Sequence, residues 1–269
     1  MSGLLALTGR EIKKWYKNPF VLFISLIQPI IWMGLFGKAM NLGALVPTNL
    51  LPPGAPNPLL AFLGVSDYFS YMAVGMLSFV VLFATMFSGM SIVWDRRLGF
   101  LNKVLSTPAS RGSIVLSKVF IAVIRALVQA GIVLVAAVLL GLQVSANFNP
   151  LFLLGVFAAL FLMSIGLSAL FVAIAIRSTK WETQMAIMNL LNLPLLFASN
   201  ALFPTSFMPE WLQDVAKLNP VTYGTDAARQ FILLDPNWTS LANDFIFLGI
   251  FAAVFATVGI VLSWRYLSK

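Results

Sequence analysis

The fold is decided by residues 68–93, which read YFSYMAVGMLSFVVLFATMFSGMSIV and contain no charged side chain. This run is longer than the ~20 apolar residues that an α-helix needs to cross the hydrocarbon core of a bilayer. Residues 151–176 form another uncharged run of this kind. The sequence therefore predicts an integral membrane protein.

The composition agrees, because 60% of the residues are hydrophobic and only 10% are charged. Soluble domains carry about 25% charged residues. The net charge of +8 does not indicate a nucleic-acid partner, since the basic residues lie in short stretches beside apolar runs, as in membrane proteins. The chain has no cysteine and no histidine. Disulfides, thiolate metal sites and cysteine nucleophiles are therefore excluded, and any catalysis would have to rest on carboxylates, hydroxyls or lysine. We expect no catalytic, metal or cofactor site in this chain and no enzymatic activity of its own.

We interpret residues 1–269 as a single all-α integral membrane domain with six transmembrane helices. Proline punctuation and charge divide the chain into spans and connections. The predicted spans are residues 20–36, 68–93, 119–142, 151–176, 183–203 and 245–264.

A basic amphipathic helix is predicted over residues 1–18. One arc of its helical wheel is mainly apolar and aromatic, with Leu4, Leu5, Thr8, Ile12, Trp15 and Tyr16. The opposite arc is basic, with Arg10, Lys13, Lys14 and Lys17. This pattern is typical of a helix in the membrane interface. A signal peptide is the disfavoured alternative, because the basic segment is long and patterned.

Most lysines and arginines lie on one side of the predicted spans. That side holds the N-terminal segment, the connection 94–118, the turn 177–182 and the C-terminal tail, whereas the other holds Lys217 and Arg229, with Lys38 at a span end. Loops rich in lysine and arginine stay in the cytoplasm. Both termini are therefore predicted to be cytoplasmic.

The connection between spans two and three contains residues 95–108, with the sequence DRRLGFLNKVLSTP. Its apolar residues Leu98, Leu101, Val104 and Leu105 have helical spacing, and Pro108 ends the helix. By periodicity alone, this helix either docks a soluble partner or rests on the membrane surface.

Several polar residues lie inside the predicted spans. The favoured interpretation is hydrogen bonding between helices, and the second is the lining of a pathway. The candidate lining residues are Gln28, Thr85, Ser88, Asn189, Asn192 and Asn200. Arg125 is expected to extend toward the cytoplasmic headgroups, with no transport role.

Residues 95–108 resemble the cytoplasmic coupling helix of type-2 ABC transporter permeases, with an acid, arginines, a glycine, leucines and a terminal Thr-Pro. Further motifs resemble the same family, closest to its daunorubicin-type drug exporters, over essentially the whole chain. They are Asn192, Pro194, Leu195-Leu196-Phe197, Phe203-Pro204, Met208-Pro209, Trp211-Leu212, Asn219-Pro220, Thr222-Tyr223 and Asp226-Ala227-Ala228-Arg229. Two positions depart from the family pattern: Val74 replaces a proline before Gly75, and Asn200 replaces a glycine.

The resemblance implies a coupling region over residues 94–118 and a re-entrant external hairpin over residues 204–242. It also implies contact with an ATPase. The candidate coupling residues are Asp95, Arg96, Arg97, Gly99, Leu101, Leu105, Pro108 and Glu182.

The same resemblance implies the partners. We expect two copies of a cassette ATPase, which bind ATP and Mg²⁺, because this chain contains no G-x-x-x-x-G-K-[ST] phosphate loop. We also expect a second permease copy, in a homodimer, surrounded by lipid in the plasma membrane of a prokaryote.

The function that follows is outward transport of an amphipathic drug-like or lipid-like molecule. The alternative within the family is export of a polysaccharide or lipid-linked glycan. A membrane-embedded enzyme is disfavoured by the lack of histidine, cysteine and paired carboxylates within a span. A secondary carrier is disfavoured because the spans are nearly free of ionisable residues.

Overall fold

The computed structural model describes residues 2–17, 19–38, 64–65, 67–107, 110–178 and 180–266, and these residues contain helices and no strand. A π-helical turn, Met33–Lys38, continues the second helix. The α-helices are α1 (Ser2–Tyr16), α2 (Pro19–Trp32), α3 (Tyr68–Arg97), α4 (Phe100–Leu105), α5 (Arg111–Leu139), α6 (Phe152–Ala175), α7 (Trp181–Phe197), α8 (Glu210–Lys217), α9 (Pro220–Ile232) and α10 (Trp238–Tyr266).

Four of the described helices are long and apolar enough to cross a membrane: α3, α5, α6 and α10. They coincide with four of the predicted spans, and the all-helical fold is confirmed. The other two predicted spans, 20–36 and 183–203, contain α2 with its π-helical turn and α7, which are shorter. The count of six spans therefore stays a prediction.

The long helices extend beyond the apolar runs because polar side chains cap them. Helix α5 begins at Arg111, where the hydroxyl of Ser110 accepts a hydrogen bond from the backbone N–H of Ser113. Helix α10 begins at Trp238, where the side chain of Asn237 accepts hydrogen bonds from the next turn. Such caps satisfy N–H groups that have no partner inside the helix.

Helix α6 lies at the centre of the bundle and packs against α3, α5, α9 and α10. The most apolar window of α3 is 83% buried and that of α10 only 17%, so α3 is internal and α10 is peripheral. Helices α3 and α6 approach closely at Gly89, where an added Cβ would lie 2.5 Å from the carbonyl oxygen of Phe171. A small residue is therefore required there.

The helices at the two ends of the bundle differ. We call the end with α1, α4 and the start of α5 the basic end, and the end with α8 and α9 the hairpin end. At the basic end α1 packs against α5. At the hairpin end α9 packs into the bundle against α3, α6 and α10.

Candidate functional site

A turn at Leu98 and Gly99 separates α3 from α4 at the basic end. Gly99 has a φ of +69°, a left-handed conformation that commonly ends helices and favours glycine. The prediction of one helix over residues 95–108 is therefore wrong: Asp95, Arg96 and Arg97 form the last turn of α3, and α4 is a separate short helix. Pro108 lies outside the described residues.

The apolar stripe of α4 packs against the chain itself. Leu101 and Val104 form a buried cluster with Ile114 of α5, and Leu7 of α1 and Leu105 pack against it. Leu101 is only 4% exposed. Leu101, one of the predicted coupling residues, is therefore not on the surface, because its side chain already fills a contact between α4, α1 and α5.

A buried cluster of charges joins three helices beside this contact. The Nζ atom of Lys118 (α5) donates to Glu11 of α1 at 2.9 Å and to Ser91 of α3 at 2.7 Å. It also donates to the carboxylate of Asp95. Lys118, Glu11 and Asp95 are each less than 5% exposed. Burying charges is costly unless they are paired, so this geometry requires all three.

Arg10 connects the charge cluster to α4. One of its guanidinium nitrogens lies 3.7 Å from Asp95, and its guanidinium carbon lies 3.4 Å above the centre of the Phe100 ring. This is a cation–π contact. Helix α4 is therefore joined to α1 and α3 by charge as well as by apolar packing.

The last turn of α3 is also joined to the end of α6. Arg96 donates to the carbonyl oxygens of Ile176, the residue that caps α6, at 2.8 Å and of Ser178, just beyond it, at 2.7 Å. Trp94 contacts Trp181 of α7 edge-on, with ring centres 4.8 Å apart. The predicted coupling residue Glu182 follows Trp181 directly and is exposed.

The part of the basic end that remains open to a partner differs from the predicted set. Leu98 is 67% exposed. We define the coupling surface as the exposed residues Arg97, Leu98, Lys103, Ser106 and Thr107. An apolar residue surrounded by basic and hydroxyl side chains suits contact with a soluble protein, because interfaces have an apolar core and a polar rim.

A second buried cluster centres on Arg229 of α9 at the hairpin end. Its guanidinium donates to the carbonyl oxygens of Asn200 at 2.7 Å, Ala201 at 2.9 Å and Tyr71 at 3.2 Å. It also stacks on the Tyr71 ring at 3.5 Å. The amide of Asn200 donates to Asp226 at 2.6 Å. The hairpin is therefore joined to α3 and to the turn after α7.

Burial changes the acid–base properties of the two charged residues of α9. Burial lowers the pKa of Arg229, and Tyr71 and Asp226 oppose this change. Burial raises the pKa of Asp226, and Arg229 and the hydrogen bond from Asn200 oppose this rise. One departure of the sequence from the family pattern, Asn200, belongs to this cluster. The cluster also lies against Gly75, where an added Cβ would lie 3.1 Å from the Arg229 guanidinium.

Asn219 connects the hairpin to the end of α7. Its amide donates to the carbonyl oxygens of Leu195 at 2.8 Å and Ala198 at 2.6 Å. Its side-chain oxygen accepts from the N–H of Val221 and caps α9. The Asn-Pro motif of the sequence therefore ends one helix and starts another.

The remaining candidate lining residues occupy different environments. Thr85 and Ser88 are buried in the bundle, where Thr85 donates to Val81 of its own helix and Ser88 to Ser168 of α6. Asn192 is buried, whereas Gln28 and Asn189 are exposed. The bond from Ser88 is of the interhelical kind that the favoured interpretation expects.

Sequence reasoning missed Glu11 and Lys118. Glu11 is the only acid before Asp67, and an isolated acid in a basic helix is a signal that it pairs with a charge elsewhere. Lys118 directly precedes an apolar run, and its pairing with Glu11 spans 107 residues of sequence. Nothing local in the sequence identifies that pair.

Comparison with known proteins decides the family. The family model described as ABC-2 type transporter matches residues 2–233. The chain belongs to the ABC-2 type transporter family. The transport permease ycf38 of Cyanophora paradoxa is 31% identical to this chain, which we call the permease below. The alignment covers 87% of this chain and 75% of the Cyanophora protein. The protein of the same name from Porphyra purpurea is 31% identical over 87% and 74%.

A relative named for drug resistance is also similar. The daunorubicin resistance ABC transporter permease protein DrrB1 of Streptomyces coeruleorubidus is 22% identical over 62% of this chain and 58% of its own length. The family match indicates the membrane subunit of an ABC transporter, and in this family the ATPase is a separate chain. A cassette ATPase is the implied partner.

Proposed function

We propose that the permease exports an amphipathic drug-like or lipid-like molecule, driven by ATP that its partner hydrolyses. The observation that carries this proposal is the family match over residues 2–233. The similarity to a daunorubicin resistance permease favours amphipathic cargo. The permease itself contributes no nucleotide site, since its sequence lacks the phosphate-binding loop.

The basic end supplies a route for mechanical coupling. An ATPase that contacts the coupling surface displaces α4, which is packed on α1 and α5 through Leu101, Val104 and Ile114. The charge cluster around Lys118 then joins α5 to α1 and α3. Because buried contacts of this kind are rigid, these helices are expected to move together.

The faces of α2 and α7 support a pathway and a second permease copy. Phe23, Ile27 and Ile31 of α2 are 49–63% exposed, and Gln28 is exposed among them. Leu190 and Leu193 of α7 are 72% and 56% exposed, next to the exposed Asn189. Mixed apolar and amide surfaces suit amphipathic cargo, and also suit helix association in lipid.

The proposed assembly is a homodimer of the permease with two ATPase copies in the plasma membrane of a prokaryote. Each permease would have six spans, the basic end and both termini in the cytoplasm, and the hairpin end outside. The asymmetry of lysine and arginine supports this orientation.

The test is export by the reconstituted complex. Tagged permease would be purified with the ATPase that accompanies it and reconstituted into liposomes that contain no cargo. When ATP is added outside, complexes whose ATPase faces outward are expected to transport daunorubicin into the liposomes and not to transport a lipid-linked glycan. Transport of the glycan alone would favour the alternative, and transport of neither at a competent ATPase rate would contradict the amphipathic-cargo proposal.

A further inference from the structure

A cavity of about 390 Å³ opens between α1, α2, α3 and α5. Its walls combine aromatic and apolar side chains of α3 with polar side chains of the other three helices. Phe79, Phe83 and Phe87 of α3 form the apolar wall, and Trp15, Arg125 and Gln129 belong to the polar part. Gln28 of α2, which the proposed pathway face includes, also lines the cavity, whereas the coupling route and the hairpin cluster do not use it.

Arg125 brings a positive charge into the cavity, and the carboxylate of Glu11, which Lys118 already binds, interacts with it electrostatically but forms no direct ion pair with it. Its Nε atom is buried and has no hydrogen-bond partner in the part of the chain that the structure describes. The ion pairs of these residues do not include it. Its guanidinium lies 6.0 Å from the ring of Trp15. A charge in a membrane helix is costly and normally has a partner.

Gln129 adds a neutral acceptor one helical turn farther along α5, on the same face as Arg125. It is 5% exposed, and its amide nitrogen donates to Ser25 at 2.7 Å. Its side-chain oxygen has no hydrogen-bond partner among the described residues. Gln129 therefore lies farther from the basic end than Arg125, on the side of the cavity that the phenylalanines of α3 line.

The shape and position of the cavity indicate a lipid. Trp15 belongs to α1, whose exposed Lys13 and Lys17 give the interface beside the cavity a positive charge. Phe87, Phe83 and Phe79 lie at successive turns of α3, away from the basic end. Phe79 and Phe83 contact each other with ring centres 4.4 Å apart. This row offers an acyl chain an apolar surface that begins near the cation.

We propose that this cavity binds an anionic phospholipid of the leaflet at the basic end. Arg125 pairs with its phosphate, and the phenylalanines of α3 contact an acyl chain. The proposal does not depend on what the permease exports. It assigns Arg125 a role in lipid binding, where the sequence predicted only an extended side chain.

The test is binding of phosphatidylglycerol to the purified full chain in detergent, titrated by native mass spectrometry. Phosphatidylglycerol is expected to bind at least about tenfold more tightly than phosphatidylcholine, and Arg125→Gln to remove that preference. Arg125→Lys keeps the charge and is expected to keep most of the preference. Lys103→Gln removes an exposed cation of the coupling surface, away from the cavity, and is expected to leave the lipid preference unchanged.

Two results would overturn the proposal. Equal effects of Arg125→Gln and Lys103→Gln would mean that lipid is attracted only by the general charge of the basic end. Equal competition by glycerol 3-phosphate would mean that the cavity binds a free phosphate and does not recognise the acyl chain.

A second measurement applies if Arg125→Gln fails to fold. Phosphatidylglycerol with brominated acyl chains is expected to quench tryptophan fluorescence more than brominated phosphatidylcholine does. Trp15→Phe is expected to remove this excess. Trp238→Phe, which changes an exposed tryptophan at the hairpin end, is expected to keep it. An excess that survives Trp15→Phe places the lipid elsewhere and contradicts the proposal.

Discussion

Lys118 holds two carboxylates from different helices inside the basic end. Glu11 and Asp95 lie within hydrogen-bonding distance of its ammonium group. Removing one partner of a buried ion pair leaves an uncompensated charge in a poorly solvated place, which costs more than the pair contributes. At this site two acids would remain.

We predict that Lys118→Met destabilises the permease by about 3–5 kcal/mol. Thermal unfolding in detergent measures the effect as a lower apparent Tm. The matched control is Lys103→Met, since Lys103 is exposed and its change should leave the Tm within about one degree. Adding Glu11→Gln and Asp95→Asn to Lys118→Met should restore part of the loss. An unchanged Tm for Lys118→Met alone would show that the cluster does not stabilise the fold.

Gly75 is the residue that permits close approach at the hairpin end. A Cβ added there would lie 1.8 Å from the carbonyl oxygen of Ala201, a backbone atom that also accepts from Arg229. We predict that Gly75→Ala destabilises the permease by at least ~2 kcal/mol, because the backbone around the buried arginine must move.

The control for this prediction is Gly249→Ala in α10. An added Cβ at Gly249 meets no atom within 4 Å, and alanine favours helix over glycine by about 1 kcal/mol. Gly249→Ala is therefore expected to be neutral or slightly stabilising in the same unfolding assay. Equal Tm values for the two variants would contradict the close approach at Gly75.

Helix α4 shows that residues 95–108 do not act as one element: the apolar side chains of Leu101 and Val104 in α4 are buried, whereas Leu98, before the helix, is exposed. The spacing of Leu98, Leu101, Val104 and Leu105 correctly indicated an apolar stripe, but periodicity does not say what covers a stripe. Gly99 breaks the helix and leaves Leu98 outside. The stripe is then covered by Ile114 of α5 and Leu7 of α1. Helix α1 lies so far away in the sequence that periodicity does not reveal its contact with α4.

We predict that Leu98→Asp weakens binding of the cassette ATPase by at least about thirtyfold, because truncation of an interface hot spot costs ~2 kcal/mol or more. The apparent Tm of the isolated permease should stay unchanged, since Leu98 is 67% exposed. Leu101→Asp should instead lower the Tm, because it places a charge in the buried contact of α4 with α5. Titration of the ATPase onto the immobilised permease, with Tm measured in parallel, separates these effects. Full ATPase binding by Leu98→Asp would exclude Leu98 from the interface.

For the whole molecule, the apolar runs predicted where the long helices lie because a membrane span needs little more than length and hydrophobicity. The motifs Asn219-Pro220 and Asp226–Arg229 also indicated residues that the structure joins at the hairpin end. The partners of those residues were not predictable, since Arg229 and Tyr71 are 158 residues apart. Contacts between distant helices depend on the packing of the whole bundle.

We predict that the basic end faces the cytoplasm and the hairpin end faces outward. The chain has no cysteine, and Ser106 and Ser206 are exposed at opposite ends. In intact cells, Ser206→Cys should react with a membrane-impermeant maleimide and Ser106→Cys should react only after permeabilisation. Labelling of Ser106→Cys in intact cells would reverse the orientation.

The most direct test of the account is purification of the tagged permease from the membranes of its source cells, followed by analysis of the proteins that remain bound. We predict that a cassette ATPase accompanies it in equal amount, that the complex hydrolyses ATP, and that Leu98→Asp releases the ATPase while the permease stays folded. Absence of any cassette ATPase above the level of an untagged control, or ATP hydrolysis by the pure permease alone, would contradict an ABC membrane subunit coupled through its basic end.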